Sequence, residues 1–312
     1  MIGLTLRGAT PAATVELIAE ADAAGIDALW LQAGGVSADP LTLFAAGATR
    51  STRVQLGAAI IPTWPRHPLA LAQQALVVES LAPGRLVLGV GSSTPGAMRA
   101  FGVDFHHPLA HVREYVAILR EALHTGATHV EGVHLSARAR LAAAPGTPVM
   151  VSALQEGSFE LAGELSDGAI TWLCPPDYVR TRGTPALERG AERAGRERPP
   201  IVLHLLVCQD TDPVRVTEAA STSFGAYTQF EFYRDMFAAA GHPASSEPRF
   251  SPDLVDALVV YGTEDEIRAR IEALGHEFEH LMVSTVPTVD GRNADGVDAT
   301  RSAIQLLARM QS

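Results

Sequence analysis

Over 312 residues the sequence is 47% hydrophobic and 19% charged, carries a formal net charge of -11, and has arginine alone as its 24 basic residues. The acidic surplus argues against a nucleic-acid partner, whose phosphates need a basic face, and no apolar run approaches the roughly 18 residues of a membrane span. Without lysine, Schiff-base catalysis, pyridoxal phosphate chemistry and a P-loop lysine are excluded.

In chain order, residues 2–6 read as a short strand, followed by a helix over 11–24 that opens near a proline and ends at Gly25. The second strand spans 28–31 and the second helix 40–49, with Asp39 as its N-cap. The third strand, 54–60, runs straight into the corner IIPTWPRHP and a helix over 67–81. The fourth strand, 85–90, precedes a loop and a helix over 110–123, and then comes a hairpin or irregular excursion around Gly132. Strands at 148–152, 168–172 and 201–208 alternate with helices at 158–165 and from 187 to 194. After a long helical and irregular region come a helix at 264–274, a strand at 280–284 and a last helix at 299–310.

These eight strands are continuous apolar runs, as in parallel sheets buried on both faces. Eight βα units make a closed (β/α)8 TIM barrel the expected fold, as one domain over residues 1–312 with an insertion at about 221–258 after strand seven. A doubly wound sheet is the runner-up, but LTLRGAT lacks the glycine fingerprint it would place after its first strand. The N-terminus has no basic-then-apolar leader, so a cytoplasmic protein is expected. Cys174 and Cys208 have neither disulfide nor metal-type spacing and read as core.

In such a barrel the chemistry lies in the loops after the strands. In LGVGSS the G-x-G-x-x-G register fails, because Thr94 stands where the third glycine belongs. VSALQEGS either points free helix-start amides at a phosphate or is an ordinary turn. Phe224, Tyr227, Phe230, Tyr233 and Phe237 recur at helical spacing. Such a stripe is usually core, but a connection this long reads as a lid over an aromatic ligand. His107 and His111 lack the acidic partner of a metalloprotease helix, no metal site is expected, and no G-x-S-x-G elbow appears. No nucleophile, base pair or metal is evident, which is the profile of a cofactor enzyme acting on a small molecule.

The stretches IIPTWPRHPLALAQQALVVESLAPGRLVLGVGSS, FGVDFHHPLAHVREYVAILREAL and PVMVSALQEGSFELAGELSDGAITWL resemble the luciferase-like monooxygenase superfamily. They are most similar to its actinobacterial oxidoreductases that use coenzyme F-420, an 8-hydroxy-5-deazaflavin. The resemblance implies a bacterial-luciferase-like barrel with a cis peptide at Ala59–Ile60 behind the cofactor ring. It also implies Gly89, Gly91 and Ser92 along the ring and its side chain, phosphate on the amides of Ser152, Ala153, Leu154 and Gln155, and Trp172 nearby. Gln32, Trp64, Tyr227 and Phe230 would shape the substrate pocket, and arginines would meet an acidic tail. The implied chemistry is hydride transfer from the reduced deazaflavin to an electron-poor C=C or C=N bond, with no protein acid or base assigned. Relatives that oxidise alcohols carry His or Asp after strand two and Glu after strand four, where this chain has Gln32 and Ser92-Ser93. An FMN-dependent monooxygenase and a barrel that binds a flavin without turnover remain open, and a homodimer is a further expectation.

Overall fold

The computed structural model describes residues 1–6, 10–34, 36–288 and 297–311. In chain order the elements are β1 (Ile2–Thr5), α1 (Pro11–Ala23), β2 (Ala28–Leu31), α2 (Pro40–Ala48), β3 (Gln55–Pro62), α3 (Pro68–Leu81), β4 (Leu86–Gly91), α4 (Pro95–Arg99) and α5 (Pro108–Thr125). The hairpin β5 (Ala127–Glu131) and β6 (Ser136–Arg140) follows, then β7 (Val149–Ser152), α6 (Glu156–Leu165), β8 (Ala169–Ile170), α7 (Pro176–Tyr178) and α8 (Thr184–Arg193). The last part comprises β9 (Ile201–Cys208), α9 (Pro213–Phe224), α10 (Glu231–Ala239), α11 (Pro252–Leu258), β10 (Val259–Tyr261), α12 (Glu264–Gly275), β11 (His280–Thr285) and α13 (Val297–Gln311).

Helix starts follow local chemistry closely. Thr10, Asp39, His67, Thr94, Asp212 and Ser251 each accept a first-turn N–H with their side chain, and each is followed by proline. The cap satisfies an amide the helix cannot, and proline occupies a position whose missing N–H is no loss.

Parallel pairing runs β1-β2-β3-β4-β7-β8-β9-β11 and returns to β1, closing a TIM barrel of eight strands with helices between them. Trp30, Val87, Met150, Ile170, Val202 and Met282 fill its interior. A larger apolar layer, including Leu4, Leu29, Leu56, Leu88, Val149 and Leu203, packs the strands against the helices. No helix of the described residues is long and apolar enough to cross a membrane.

Three features depart from the expectations. The fourth long helix begins at Pro108 rather than near residue 110, with His107 in a left-handed conformation at its start. Strand six is hydrogen-bonded over only two residues, Ala169 and Ile170, which pair with Ile201 and Val202 of β9. Past that point β10 takes the edge β8 has left, pairing Val259, Val260 and Tyr261 with Leu206, Val207 and Cys208. The chain leaves α11 at Leu258 and becomes strand at Val259, where the edge of β9 is open to it.

The aromatic stripe is also broken. Phe224 ends α9, Tyr227 lies in a 3-10 turn over Gly225–Gln229, Phe230 caps α10, and Tyr233 and Phe237 lie within α10. The buried Thr228 hydroxyl sits 2.8 Å from the Gly225 carbonyl and 3.1 Å from that of Glu247, tying the turn to the chain beyond α10. A long-range contact therefore overrides a spacing that favours one helix.

Candidate functional site

The C-terminal ends of the strands surround a cavity of about 640 Å³, within the usual range for a small-molecule site. Its floor begins at β3. Register with β4 jumps from Ala58 opposite Leu88 to Ile61 opposite Val90, so β3 carries one residue more than its partner there. The extra residue makes a bulge, which re-aims the backbone at a barrel rim. The Ala59–Ile60 peptide within it is cis, as the resemblance implied, and both residues line the cavity.

Gln32 reaches the cavity from just past β2, Ser92 from the end of β4, and Trp172 from beyond β8. Ser152, Ala153, Leu154 and Gln155 border it in the turn from β7 to α6. Tyr227 and Phe230 close it from the segment between β9 and α12, together with Phe232 and Tyr233. Gly89 and Gly91 do not line it. A Cβ on Gly89 would meet the Ala58 carbonyl oxygen at 2.2 Å and Ile170 Cδ1 at 2.4 Å, and one on Gly91 would meet Ser152 Oγ at 2.1 Å. Both glycines let β4 lie against its neighbours beneath the floor. Trp64 is likewise absent from the lining; its ring stacks on His111 at 3.8 Å and packs against Phe105 at 5.3 Å. Burial holds the His111 imidazole below the ordinary histidine range.

Four lining residues, Phe105, Leu109, Val112 and Thr171, were not singled out from sequence, and Tyr233 was marked only as part of the aromatic stripe. Phe105, Leu109 and Val112 come from the stretch after β4 and the first turns of α5, and Thr171 and Tyr233 complete the walls. Phe105 had one signal, an aromatic in a loop following a barrel strand. Tyr233 lay inside the aromatic stripe. Burial holds its hydroxyl well above the ordinary tyrosine range, with Tyr227 and Cys174 adding to the effect, so it stays protonated.

Amides around α6 divide into two groups. Ala153 N–H donates to the Ile170 carbonyl at 2.8 Å. Those of Leu154 and Gln155 donate to Ser158 Oγ at 2.9 and 3.2 Å, so these three amides, expected to hold a phosphate, are already taken within the protein. Helix geometry leaves the first-turn N–H groups of Glu156 and Gly157 without intrahelical acceptors, and Gly157 and Ser158 line the cavity. An anion at this helix start would meet those two amides and the positive end of the helix dipole. Glu156 is itself ion-paired to Arg189 at 2.9 Å, which offsets its charge there.

Among the described residues the lining holds no histidine, carboxylate, lysine or arginine; its titratable groups are Tyr227 and Tyr233. Its hydroxyls and amides come from Gln32, Ser92, Ser93, Thr94, Ser152, Gln155, Ser158 and Thr171. Apolar and aromatic walls with scattered neutral polar groups suit a flat, largely uncharged guest.

One motif was passed over in the sequence. His276-Glu277-Phe278-Glu279-His280 has H-E-x-x-H spacing, which on one helix would bring two imidazoles to a common face. Here His276 caps the end of α12 and His280 opens β11, while Glu277 pairs with Arg180 and Glu279 with Arg198. His280 lines a separate cavity of about 360 Å³ at the opposite end of the barrel. Among the described residues no three His, Cys, Asp or Glu side chains are grouped to hold a metal ion.

Comparison with known proteins bears on this geometry. An F-420-dependent glucose-6-phosphate dehydrogenase from Beutenbergia cavernae is 30% identical over 203 residues, covering 61% of this chain and 60% of that protein. The chain thus spans less than two thirds of that relative's length. The coenzyme F-420-dependent tetrahydromethanopterin reductase from Methanopyrus kandleri superposes with a TM-score of 0.76 at 18% identity, covering 99% of this chain and 97% of that one. An F-420-dependent secondary alcohol dehydrogenase in complex with an F-420–acetone adduct superposes with a TM-score of 0.79 at 18% identity, covering 98% of each chain. At such identities the superpositions establish the fold. The sequence model of the luciferase-like monooxygenases matches residues 3–278, nearly the whole barrel, and on that match the chain belongs to the luciferase-like monooxygenase family.

Proposed function

We propose that the chain is an F-420-dependent oxidoreductase that passes hydride to an electron-poor C=C or C=N bond of a small, uncharged molecule. One observation carries this reading: the cavity at the barrel mouth is lined, among the described residues, by apolar, aromatic and neutral polar side chains alone. Alcohol oxidation needs a base for the hydroxyl proton, and the described lining offers no histidine or carboxylate to act as one. The relative and the two structures named above, each named as F-420-dependent, support the choice of cofactor.

The residues present fit such a cofactor. Bound there, the reduced deazaflavin supplies a hydride. Ala59 and Ile60 form the shelf for its ring, Ser92 and the turn from Ser152 to Gln155 flank its side chain, and the amides of Glu156 and Gly157 take its phosphate. Gln32 borders the acceptor. Tyr227, Phe230 and Phe232 form a lid that keeps water out, which strengthens each polar contact inside. Holding donor and acceptor carbons at about 3–3.5 Å is then the protein's main contribution.

A fluorescence-quench titration tests the cofactor, followed by turnover of reduced F-420 with 2-cyclohexenone under nitrogen. F-420 is expected to saturate with a micromolar Kd while FMN leaves the signal flat. Saturation by FMN alone, with oxygen-dependent turnover, would establish the monooxygenase instead; tight binding without turnover of any acceptor would leave a binding protein.

A further inference from the structure

Hydride delivered to one carbon of a C=C bond is half of a reduction. The other carbon must then receive a proton, in a site that keeps water out. Among the described residues the titratable groups of the lining are Tyr227 and Tyr233, and a phenol is a far stronger acid than the serine and threonine hydroxyls beside them.

Tyr233 has its hydroxyl to spare. The residue is 6% exposed, and its ring is boxed in by Tyr227 at 4.9 Å, Phe232 at 5.1 Å and Phe237 at 5.9 Å between centroids. Eight buried side-chain polar atoms of the described residues lack a hydrogen-bond partner and are closed over by their neighbours. The Tyr233 hydroxyl differs from them. It too makes no hydrogen bond within the protein, but it stays open to a molecule the size of water, on the cavity that the residue lines.

Barrel order sets the side from which it acts. Going round the ring, β4, β7 and β8 separate β9 from β3 on one side, and β11, β1 and β2 separate them on the other. The chain after β9, which carries α10 and Tyr233, therefore meets the mouth opposite the Ala59–Ile60 shelf at the end of β3.

We propose that Tyr233 is the acid of the reaction: with an enone held between shelf and α10, it protonates the α-carbon from the lid side after hydride reaches the β-carbon from the shelf side. The proposal rests on the function proposed above and deepens it. The hydride pair forms the new C–H bond at the β-carbon, and the π pair moves into an enolate. The Tyr233 O–H bond breaks as the second C–H bond forms at the α-carbon, and its electron pair stays on the phenolate oxygen. The reduced deazaflavin is the species oxidised, and the phenolate regains a proton from water as product leaves. An enolate carbon is far more basic than a phenolate, so the transfer runs downhill although burial keeps Tyr233 protonated beforehand. Because the two hydrogens arrive from opposite sides, the addition is anti.

The test uses full-length protein, reduced F-420 and 2-methyl-2-cyclohexenone deuterated at C3, under nitrogen, with product configuration read before it enolises. Wild type is expected to give one enantiomer, with the new hydrogens at C2 and C3 trans. In Tyr233→Phe, kcat should fall about a hundredfold with little change in KM. The configuration at C2 should scramble, while F-420 affinity from fluorescence quenching stays close to wild type. A readout without turnover uses protein labelled with 13C at the tyrosine ζ carbon. The chain has five tyrosines, and Tyr233→Phe assigns the relevant signal by its loss. Adding the enone to the complex with oxidised F-420, which has no hydride to give, should shift that signal. A wild-type product that is cis or racemic at C2, an unmoved Tyr233 signal, or a Tyr233→Phe protein as fast and as selective as wild type overturns this proposal alone. So does a loss found in Tyr227→Phe and not in Tyr233→Phe. Should Tyr233→Phe fail to fold, the wild-type configuration decides. No quenching by F-420, or no turnover of any enone, overturns the parent reading and this one with it.

Discussion

Asp210 shows how much one carboxylate contributes where the chain leaves β9. Arg215 donates to it from Nε at 2.9 Å and from Nη2 at 2.7 Å, and Asp212 N–H adds a third bond at 2.8 Å. The Arg215 guanidinium, foremost, holds the carboxyl down to about 2. The folded value lies below the unfolded one of about 3.9, so the stabilisation is fully present above pH ~4 and is lost as pH falls toward 2. Asp210 is 8% exposed but Arg215 is 50% exposed, which weakens the pair by solvent screening. Asp210→Asn is therefore expected to cost about 1 kcal/mol at pH 6, and the gap from wild type should close by about pH 2. Urea melts at a series of pH values measure it; a gap that stays constant down the series would mean the ion pair is not its source.

Among the elements, the start of α6 matters most to the site, and Ser158 organises it. Its hydroxyl accepts from Leu154 and Gln155 N–H while donating to the Gln155 carbonyl at 2.7 Å. The turn is thereby closed, and Glu156 and Gly157 N–H are left for a ligand. Ser158→Ala opens that turn. It should lower stability by about 1 kcal/mol, as loss of a helix cap does, and weaken F-420 binding several-fold. Thermal melting and the quench titration read the two effects separately. Lost stability with unchanged affinity would confine Ser158 to the helix start and move the anion elsewhere. The segment from α9 to α10 teaches the complementary lesson: five aromatics at helical spacing were legible, but the turn that Thr228 ties to Glu247 splits them among three elements.

Across the whole molecule, closure is the decisive event. β9 pairs with β8 at its start and with β10 at its end, while β11 joins it to β1, so the last third of the chain completes the ring begun by the first. We propose on this ground that barrel and lid unfold as one domain. Calorimetry should give a single transition whose calorimetric and van't Hoff enthalpies agree. An early separate transition, abolished by a disulfide between α9 and the barrel, would make the lid an independent unit.

The eight barrel strands and their order, the proline starts of the first three helices and the corner after β3 were legible from residues 1–312 alone, because each has a local cause. A strand buried on both faces is a continuous apolar run, a cap-proline pair starts a helix, and prolines turn a chain out of a strand; the kink at Ala59–Ile60 was implied by the family resemblance and not by local pattern. The same continuity hides which residues face the lumen. In IVLHLLVC every residue is buried, so nothing local marks His204 as the one that meets Trp172. That contact, the bond from His204 to Ser284 and the bond from Ser284 to Thr5 exist only once distant strands are brought side by side. Sequence spacing encodes what a residue does to its own element; packing between elements decides which side chains meet at the barrel mouth.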